Sequence, residues 1–547
     1  MNMNRRWFLQ TGGAGLLGAA LWPARCLGAE RSPSASGPAF VPVPDFSLSE
    51  ATIAELQSGL QSGRFTARSL AKKYLGRIEA VDRRGPGLRS VIELNPDALE
   101  LAAALDRERK AKGPRGLLHG IPILIKDNID THDRMVTTAG SLALQGSIAP
   151  RDAFLVQRLR AAGAVLLGKT NLSEWANFRG SRSTSGWSAR GGQTRNPYVL
   201  DRNPSGSSSG SAVAVAANLC AAAVGTETDG SIISPSSVCG VVGLKPTVGL
   251  ISRSGIIPIS SSQDSAGPMA RTVTDVAILL GALAGEDSRD PATAAGAGKT
   301  HPDYTVFLNS RDLAGLRVGV VRKTFGLMAE VDAVLESALG RLRQTGITLV
   351  DPVELPRPRP LGEAESEVMH YEFKAGLNAY LASLGPSAPV HNLRELIEFN
   401  ERHRREELRW FGQETFKLAE AKGPLTEPAY RQAVDTCRTL AREQGIDAVL
   451  EKHQLDALVS CPGGPAAVAD PLYGNRGTGG STAPSAPAGY PCITVPAGSF
   501  KELPVALAFF GKAWSEPKLL QIAFAFEQAT RQRRPPRFLR SLGEAPW

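Results

Sequence analysis

Apolar and polar residues follow two different periods along this chain, and the two periods predict helices and strands in succession. Segments 49–61 and 66–82 place apolar residues three and four positions apart, as amphipathic helices do. The short, largely apolar run Ile121–Ile125 is typical of a buried strand. Helix-then-strand pairs are predicted at 152–162 and 164–167, at 209–218 and 220–225, and at 331–344 and 347–350. This alternation predicts an α/β fold whose strands are partly parallel.

Local end signals and later periodicities complete the predicted elements. Asn95-Pro96 is a helix-start signal, and Gly113 is the matching stop signal. Residues 361–455 are mostly helical in pattern and rich in charges of both signs, as a solvated helical surface is. Strands are predicted again at 456–460, 493–496 and 504–510, with a further helix starting near Ser515.

Composition places the chain among ordinary globular proteins. Of its 547 residues, 42% are hydrophobic and 21% are charged, which excludes a disordered chain or a disulfide-stapled miniprotein. The formal charge is +9, and the three arginines of the acid-free segment 1–29 leave +6 for the remainder. So small an excess over so long a chain argues against nucleic acid as a partner.

The first 29 residues have the pattern of a twin-arginine (Tat) signal peptide. Arg5-Arg6 precedes Trp7-Phe8-Leu9, and the Gly/Ala/Leu-rich stretch 11–22 that follows is too short to span a bilayer. Small residues at 27–29 suit cleavage, and the Ser/Pro/Ala-rich segment 30–46 is typical of a linker. We therefore expect export through the Tat machinery to the periplasm or medium, without stable membrane insertion. The alternative is an N-terminus that is merely apolar.

The cysteines give no pattern for a disulfide framework or a metal centre. Cys26 falls within the predicted signal, and the other five, Cys220, Cys239, Cys437, Cys461 and Cys492, show no C-x-x-C spacing. Buried free thiols are expected.

Two motif matches are misleading on physical grounds. Segment 163–170 satisfies the P-loop pattern, but its Ala-Val-Leu-Leu interior predicts a strand, whereas a P-loop needs a flexible loop around phosphate. Segment 206–210 matches the G-x-S-x-G nucleophile elbow, yet turn formers precede it where the elbow requires a strand. A Ser-His-Asp site built on that elbow stays open as an alternative. Its base would be one of His301, His370, His391, His403 or His453.

Candidate chemistry concentrates at 203–250. The Ser/Gly-rich run 204–211 leads into an apolar helix, where hydroxyls and free backbone N–H groups occur together. A predicted strand then runs into Thr226–Ile232, a Gly-Ser turn of the kind that can aim several N–H groups at one point. Upstream, Lys126 follows an apolar strand, where burial would favour its neutral amine.

These blocks resemble the amidase signature family in order and spacing. The matching parts are the Gly-Ile-Pro strand ending in Lys126-Asp127, the run 204–211, the turn 226–232 with Gly-Leu-Lys-Pro-Thr after it, and Ala-Gly-Tyr-Pro at 488–491. The resemblance covers roughly 48–531 and implies an α/β amidase signature fold, a large mixed β-sheet surrounded by helices. It assigns 47–547 to this domain, with a helical, more variable segment at about 361–455.

The resemblance also implies a Ser-Ser-Lys mechanism without metal or organic cofactor. By position, the family's base is Lys126, its bridging serine Ser207 and its nucleophile Ser231. A neutral lysine accepts the nucleophile's proton through the bridging hydroxyl, and an acyl-enzyme forms. Its oxyanion is expected to bind the backbone N–H groups of Thr228, Asp229, Gly230 and Ser231.

The turn departs from the commonest family pattern. Glu227, Asp229-Gly230 and Ile233 stand where that pattern has Asp, two glycines and Arg. This variant looks like the bacterial peptide amidase subgroup, which implies deamidation of C-terminal peptide amides. The alternatives are an amidase acting on aryl or fatty amides and an exported, catalytically inactive binding protein.

Overall fold

Eleven strands form one mixed sheet through the middle of the protein. The computed structural model describes residues 40–311, 313–477, 480, 482 and 485–544. The predicted signal peptide and residues 30–39 of the predicted linker lie outside them. The strands are β1 Val91–Leu94, β2 Pro122–Lys126, β3 Val165–Thr170, β4 Trp187–Ser188, β5 Gly192–Gln193, β6 Ala222–Glu227, β7 Val242–Lys245, β8 Ser265–Ala270, β9 Arg317–Val320, β10 Thr348–Val350, β11 Ala457–Ser460, β12 Cys492–Phe500 and β13 Leu503–Phe510.

Helices cover the sheet and fill its long connections. The α-helices are α1 Ile53–Gln61, α2 Ala67–Arg77, α3 Ala98–Lys112, α4 Phe154–Ala161, α5 Ser209–Ala216, α6 Ile233–Val238, α7 Val273–Leu283, α8 Ala329–Gln344, α9 Arg359–Ser383, α10 Leu393–Arg402, α11 Glu414–Glu420, α12 Pro428–Arg438, α13 Asp447–His453, α14 Ser485–Ala488 and α15 Glu516–Thr530. Two π-helical segments occupy Ile78–Arg83 and Thr439–Ile446. Short 3₁₀ segments occupy Leu142–Leu144, Glu174–Asn177, Pro291–Gly296, Thr305–Phe307, Arg322–Thr324 and Leu542–Glu544. No described helix is both long and apolar enough to cross a membrane.

The predicted α/β fold with partly parallel strands is confirmed. The sheet order is β1-β3-β2-β6-β8-β7-β12-β13-β11-β9-β10, with β4 and β5 paired separately. Strands β3, β2 and β6 are mutually parallel, as are β11, β9 and β10. The other neighbours in the large sheet pair antiparallel.

One helix begins later than the sequence predicts, because a side chain forms a hydrogen bond that competes with the first helical turn. The helix expected from Asn95-Pro96 begins at Ala98, because the Asn95 side chain accepts the Asp97 N–H at 2.9 Å and forms a turn first. It ends as predicted at Gly113, whose φ of 81° is left-handed and favours glycine. Strands β7 and β8 were not predicted, since their Gly, Ser, Lys and Pro content hides the apolar signal.

The P-loop match is a strand, as its apolar interior predicts. Val165–Thr170 is wholly buried between β1 and β2. Lys169 is buried there and donates to the Ile129 carbonyl and the Thr137 hydroxyl, each at 2.8 Å. The side chain that would reach phosphate in a P-loop is therefore occupied inside the core.

Candidate active site

Parallel strands β2 and β6 bring Lys126 beside the Ser/Gly-rich run 204–211. Lys126 is fully buried, and its Nζ donates to Ser207 Oγ at 2.8 Å, Thr226 Oγ1 at 2.8 Å and the Thr226 carbonyl at 3.2 Å. Burial removes water from the ammonium and lowers the pKa of Lys126 from 10.5 to about 7, against the opposing effect of two nearby carboxylates. The amine can therefore exchange a proton near neutral pH.

The segment before α5 buries its serine hydroxyls. Ser207 follows a cis Gly206–Ser207 peptide bond and has no exposed surface. The Ser208 hydroxyl donates to the Thr226 carbonyl at 2.9 Å and accepts the Thr226 N–H at 3.1 Å. Ser207 thus presents its hydroxyl to Lys126, while Ser208 ties the loop to β6.

Ser231 lies in the turn that joins β6 to α6. The Ser208 N–H donates to the Ser231 carbonyl at 3.0 Å, which places Ser231 against the Ser207–Ser208 segment. Ser231 keeps 8% of its surface exposed, whereas Ser207 keeps none. Among the described residues, the Ser231 hydroxyl makes no hydrogen bond to Ser207. The structure therefore brings all three predicted residues into one site, with the Lys126–Ser207 contact formed.

The same turn presents free backbone N–H groups. The amides of residues 228–231 donate to no acceptor within the part of the chain that the structure describes. Gly230 has a left-handed φ of 78°, and a Cβ there would lie 2.7 Å from the Thr482 hydroxyl. The left-handed φ favours glycine at this position, and open amides of this kind can donate to an oxyanion.

The sequence singles out Glu227 but shows neither its role in the turn nor the nearby Lys245 that acts on its carboxyl. The buried Glu227 Oε2 accepts the N–H groups of Ile232 at 2.6 Å and Ile233 at 2.9 Å, which closes the turn behind Ser231. Burial raises the pKa of Glu227, and the buried Lys245 on β7 opposes that rise. Lys245 belongs to the Gly-Leu-Lys-Pro-Thr block. The motif is therefore visible in the sequence, but the sequence does not show that its lysine acts on Glu227.

Asp229 projects from this turn towards Thr482. Thr482 Oγ1 donates to Asp229 Oδ1 at 3.0 Å. The Asp229 side chain is exposed to solvent, and the nearby protein atoms that displace water raise the pKa of its carboxyl.

The nucleophile-elbow alternative finds no support in the geometry. Ser208, the serine of the G-x-S-x-G match, uses its hydroxyl on the Thr226 backbone in both directions. Within the described residues, no histidine ring nitrogen is hydrogen-bonded to a serine hydroxyl; those that are bonded contact backbone groups or Glu395. Ser208 is therefore not placed as the nucleophile of a Ser-His-Asp site.

Comparisons with known proteins identify the family of the chain. The family model Amidase matches residues 69–520. A probable amidase of Arabidopsis thaliana is 44% identical over 90% of this chain and 93% of its own length. Both matches run through the strand that carries Lys126 and the turn that carries Ser231.

Two solved structures share the fold. The native peptide amidase of Stenotrophomonas maltophilia superposes with a TM-score of 0.87 and 54% identity, covering 90% of this chain and 100% of that one. An amidase family protein of Bacillus anthracis superposes with a TM-score of 0.81 and 37% identity, covering 89% and 92%. The large mixed sheet with its surrounding helices is thus the amidase signature fold. The chain belongs to the amidase signature family and is a hydrolase that acts on amide C–N bonds.

Proposed function

We propose that this enzyme uses Ser231, Ser207 and Lys126 to remove the amide from peptide C-termini. The observation that carries the proposal is the buried Lys126 Nζ, 2.8 Å from Ser207 Oγ and with a pKa near neutrality. A neutral lysine in that position accepts a proton from Ser207 while Ser207 accepts one from Ser231. The Ser231 alkoxide then attacks the amide carbon.

The first half-reaction forms an ester and releases ammonia. As Ser231 Oγ bonds to the carbonyl carbon, the oxyanion accepts hydrogen bonds from the free N–H groups of 228–231, and one such donor is typically worth about 3 kcal/mol in the transition state. The C–N bond breaks while the proton returns through Ser207 to the leaving nitrogen. Water repeats the sequence on the ester, so that peptide amide and water give peptide acid and ammonia.

Covalent labelling tests these roles. A fluorophosphonate should label the wild type and fail to label Ser231→Ala, because that variant lacks the attacking hydroxyl. Lys126→Ala should label far more slowly, with partial recovery at high pH as hydroxide replaces the base. Ser208→Ala is the matched control, since its hydroxyl only bonds the Thr226 backbone. Loss of labelling in Ser208→Ala with retention in Ser231→Ala would reverse the assignment, and an unlabelled wild type would favour an inactive binding protein.

Asp229 supports the choice of peptide amides over free peptide acids. Asp229 lies next to Gly230 in the turn and is exposed, and an ionised carboxylate there would accept from an –NH2 group and repel a second carboxylate. The resemblance to a solved peptide amidase at 54% identity supports the same substrate class. The leaving group is then ammonia, and internal peptide bonds survive.

Mass spectrometry of a C-terminally amidated peptide decides the substrate class. The expected product is the full-length acid, about one mass unit heavier because –NH2 becomes –OH. Shorter fragments, or no reaction on peptide amides beside rapid cleavage of anilides or fatty amides, would overturn it. In Asp229→Asn, the product acid should inhibit at least about threefold more strongly, because one like-charge repulsion is gone. Unchanged inhibition would remove Asp229 from the argument and leave the deamidation proposal standing.

We further propose that residues 1–29 export the enzyme through the Tat machinery to the periplasm or medium. The support is the Arg5-Arg6 motif with the short apolar stretch behind it. The Tat machinery would be a transient partner of the signal rather than of the folded enzyme.

A further inference from the structure

A carboxylate from a distant loop holds the first residue of the oxyanion turn. Asp264 immediately precedes β8, and its Oδ1 accepts from the Thr228 hydroxyl at 2.5 Å. Its Oδ2 accepts the N–H groups of Ile259 at 2.8 Å and Ser260 at 2.9 Å. One side chain therefore joins Thr228 to the loop 257–264, and its two oxygens are both used.

The same carboxylate lines a small cavity of about 30 Å³. Thr226, Thr228 and Asp264 line the cavity together with Asn128. Thr226 Oγ1 accepts from Lys126 Nζ at 2.8 Å and from Asn128 Nδ2 at 3.0 Å. Asp264 thus shares a cavity with Thr226, the residue that binds Lys126 Nζ, and its charge acts on Lys126 without a hydrogen bond between them.

Helix α9 fixes the outer side of that loop. The buried Glu372 accepts from the Ser260 hydroxyl at 2.5 Å and from the Ser262 N–H at 3.0 Å. Gln263 Nε2 donates to Glu365 Oε1 at 2.9 Å. Glu372 and Glu365 of α9 therefore hold the loop that carries Asp264. Asp264 in turn holds Thr228.

We propose that Asp264 is a positioning residue of this amidase: it fixes Thr228 and the oxyanion turn against the loop held by α9, and its negative charge acts on the ammonium form of Lys126. The inference rests on the proposed roles of Lys126 and of the turn 228–231. It explains why a carboxylate with three hydrogen bonds is placed beside the reaction site rather than at the surface.

The charged groups around these residues fix the sign of the effect. Asp264 and Glu227 face Lys126, and each raises the pKa of Lys126, while burial lowers it more strongly to about 7. Arg253 faces Asp264 and opposes the burial that raises the pKa of Asp264 to about 6. Lys245 and Asp229 face Glu227. Replacing Asp264 by a neutral residue therefore lowers the pKa of Lys126 further.

The test is the pH profile of kcat/KM for a peptide amide, measured from about pH 5 to about pH 10. In Asp264→Asn, the acid limb should move down by at least about half a pH unit, and kcat should fall about tenfold as the turn loosens. Thr228→Val removes the hydroxyl and keeps the carboxylate, so kcat should fall while the limb stays. Asp130→Asn is the matched control, a buried carboxyl with a pKa of about 6 that bonds Tyr380 and does not face Lys126. Neither quantity should change in it.

A limb that stays in place in Asp264→Asn, or that moves equally in Asp130→Asn, would overturn the proposal. If Asp264→Asn does not fold, Asp264→Glu keeps the charge and displaces it, so a retained limb with reduced kcat supports the same role and an unchanged kcat contradicts it. Failure of the underlying mechanism is distinguishable, because Ser231→Ala would then keep releasing ammonia or the wild type would show no acid limb.

Discussion

Lys126 gives the folding free energy a pH dependence of its own. Its pKa is about 7 in the folded protein and 10.5 when unfolded. Between these values the unfolded chain binds more protons, so wild-type stability rises with pH across this window and is lowest below pH 7. The full difference corresponds to about 5 kcal/mol of unfavourable burial at low pH.

Lys126→Met should therefore melt at a higher temperature than the wild type, with a difference that shrinks as pH rises from about 6 to about 10. Thermal unfolding of both proteins at several pH values measures that difference. The exposed Lys72→Met is the control, and its difference from the wild type should stay flat. A Lys126→Met difference that grows with pH would contradict the burial of a titrating amine.

Sequence motifs locate some site residues and leave others hidden for a physical reason. Lys126, Ser207 and Ser231 fall in recognisable blocks, and the fold gathers them; their roles remain predictions. Asp264 stands in a Ser/Gln/Asp stretch typical of a turn, and its contact with Thr228 arises only because β8 pairs with β6. A contact made across a sheet leaves no local signal in the sequence.

At the scale of elements, the β6–α6 turn depends on Glu227 for its shape. Its carboxylate accepts two backbone N–H groups that would otherwise be orphaned at the start of α6. In Glu227→Ala the turn should relax, and the rate of fluorophosphonate labelling at Ser231 should fall by at least about tenfold, since each charge-assisted bond is worth about 1.5–3 kcal/mol. Glu227→Gln keeps a hydrogen-bond acceptor, so its labelling rate should lie between those of the wild type and Glu227→Ala. Equal labelling rates in all three proteins would show that the shape of the turn does not depend on the Glu227 carboxylate.

The elements themselves were predicted best where their period is strong and unbroken. The helix predicted at 331–344 is Ala329–Gln344, and the strand predicted at 347–350 is Thr348–Val350. Strand β8 was not predicted, because glycine and proline interrupt it and its apolar content is modest. The sheet stabilises β8 through its neighbours β6 and β7 rather than through its own propensity.

At the scale of the whole molecule, a buried ionic cluster joins the helical segment to the sheet domain. Arg179 donates to Glu174 and to the backbone and side chain of Glu407, and none of these side chains is exposed. Glu407, between α10 and α11, also accepts from Ser141 Oγ at 2.9 Å and from Leu142 N at 2.7 Å. The cluster thus links three separated parts of the chain.

Arg179→Met should destabilise the protein by about 3–5 kcal/mol, because it leaves two buried carboxylates without their cation. Chemical denaturation followed by intrinsic fluorescence measures the loss. Arg359→Met is the control, since its pair with Glu363 is exposed on both sides and should contribute nothing measurable. Equal stabilities of Arg179→Met and the wild type would contradict the role of the cluster.

The free thiols of the cysteines allow a test of whether the enzyme folds before it is exported. All five described cysteines are free and buried, and burial raises the pKa of their thiols, to about 12 for Cys220 and about 11 for Cys461. Protonated, buried thiols are inert, so these described residues fold without an oxidising compartment.

A Tat signal carries proteins that have already folded, so replacing both arginines, Arg5→Lys with Arg6→Lys, should leave active enzyme inside the cell. Ammonia release from a peptide amide, measured in the medium and in periplasmic and cytoplasmic fractions with and without a reductant, checks this. The wild type should be active in the periplasm or medium, the double variant in the cytoplasm, and neither should respond to the reductant. Equal export of both proteins would contradict the twin-arginine assignment, and a double variant that stays inside but is inactive would contradict folding before export.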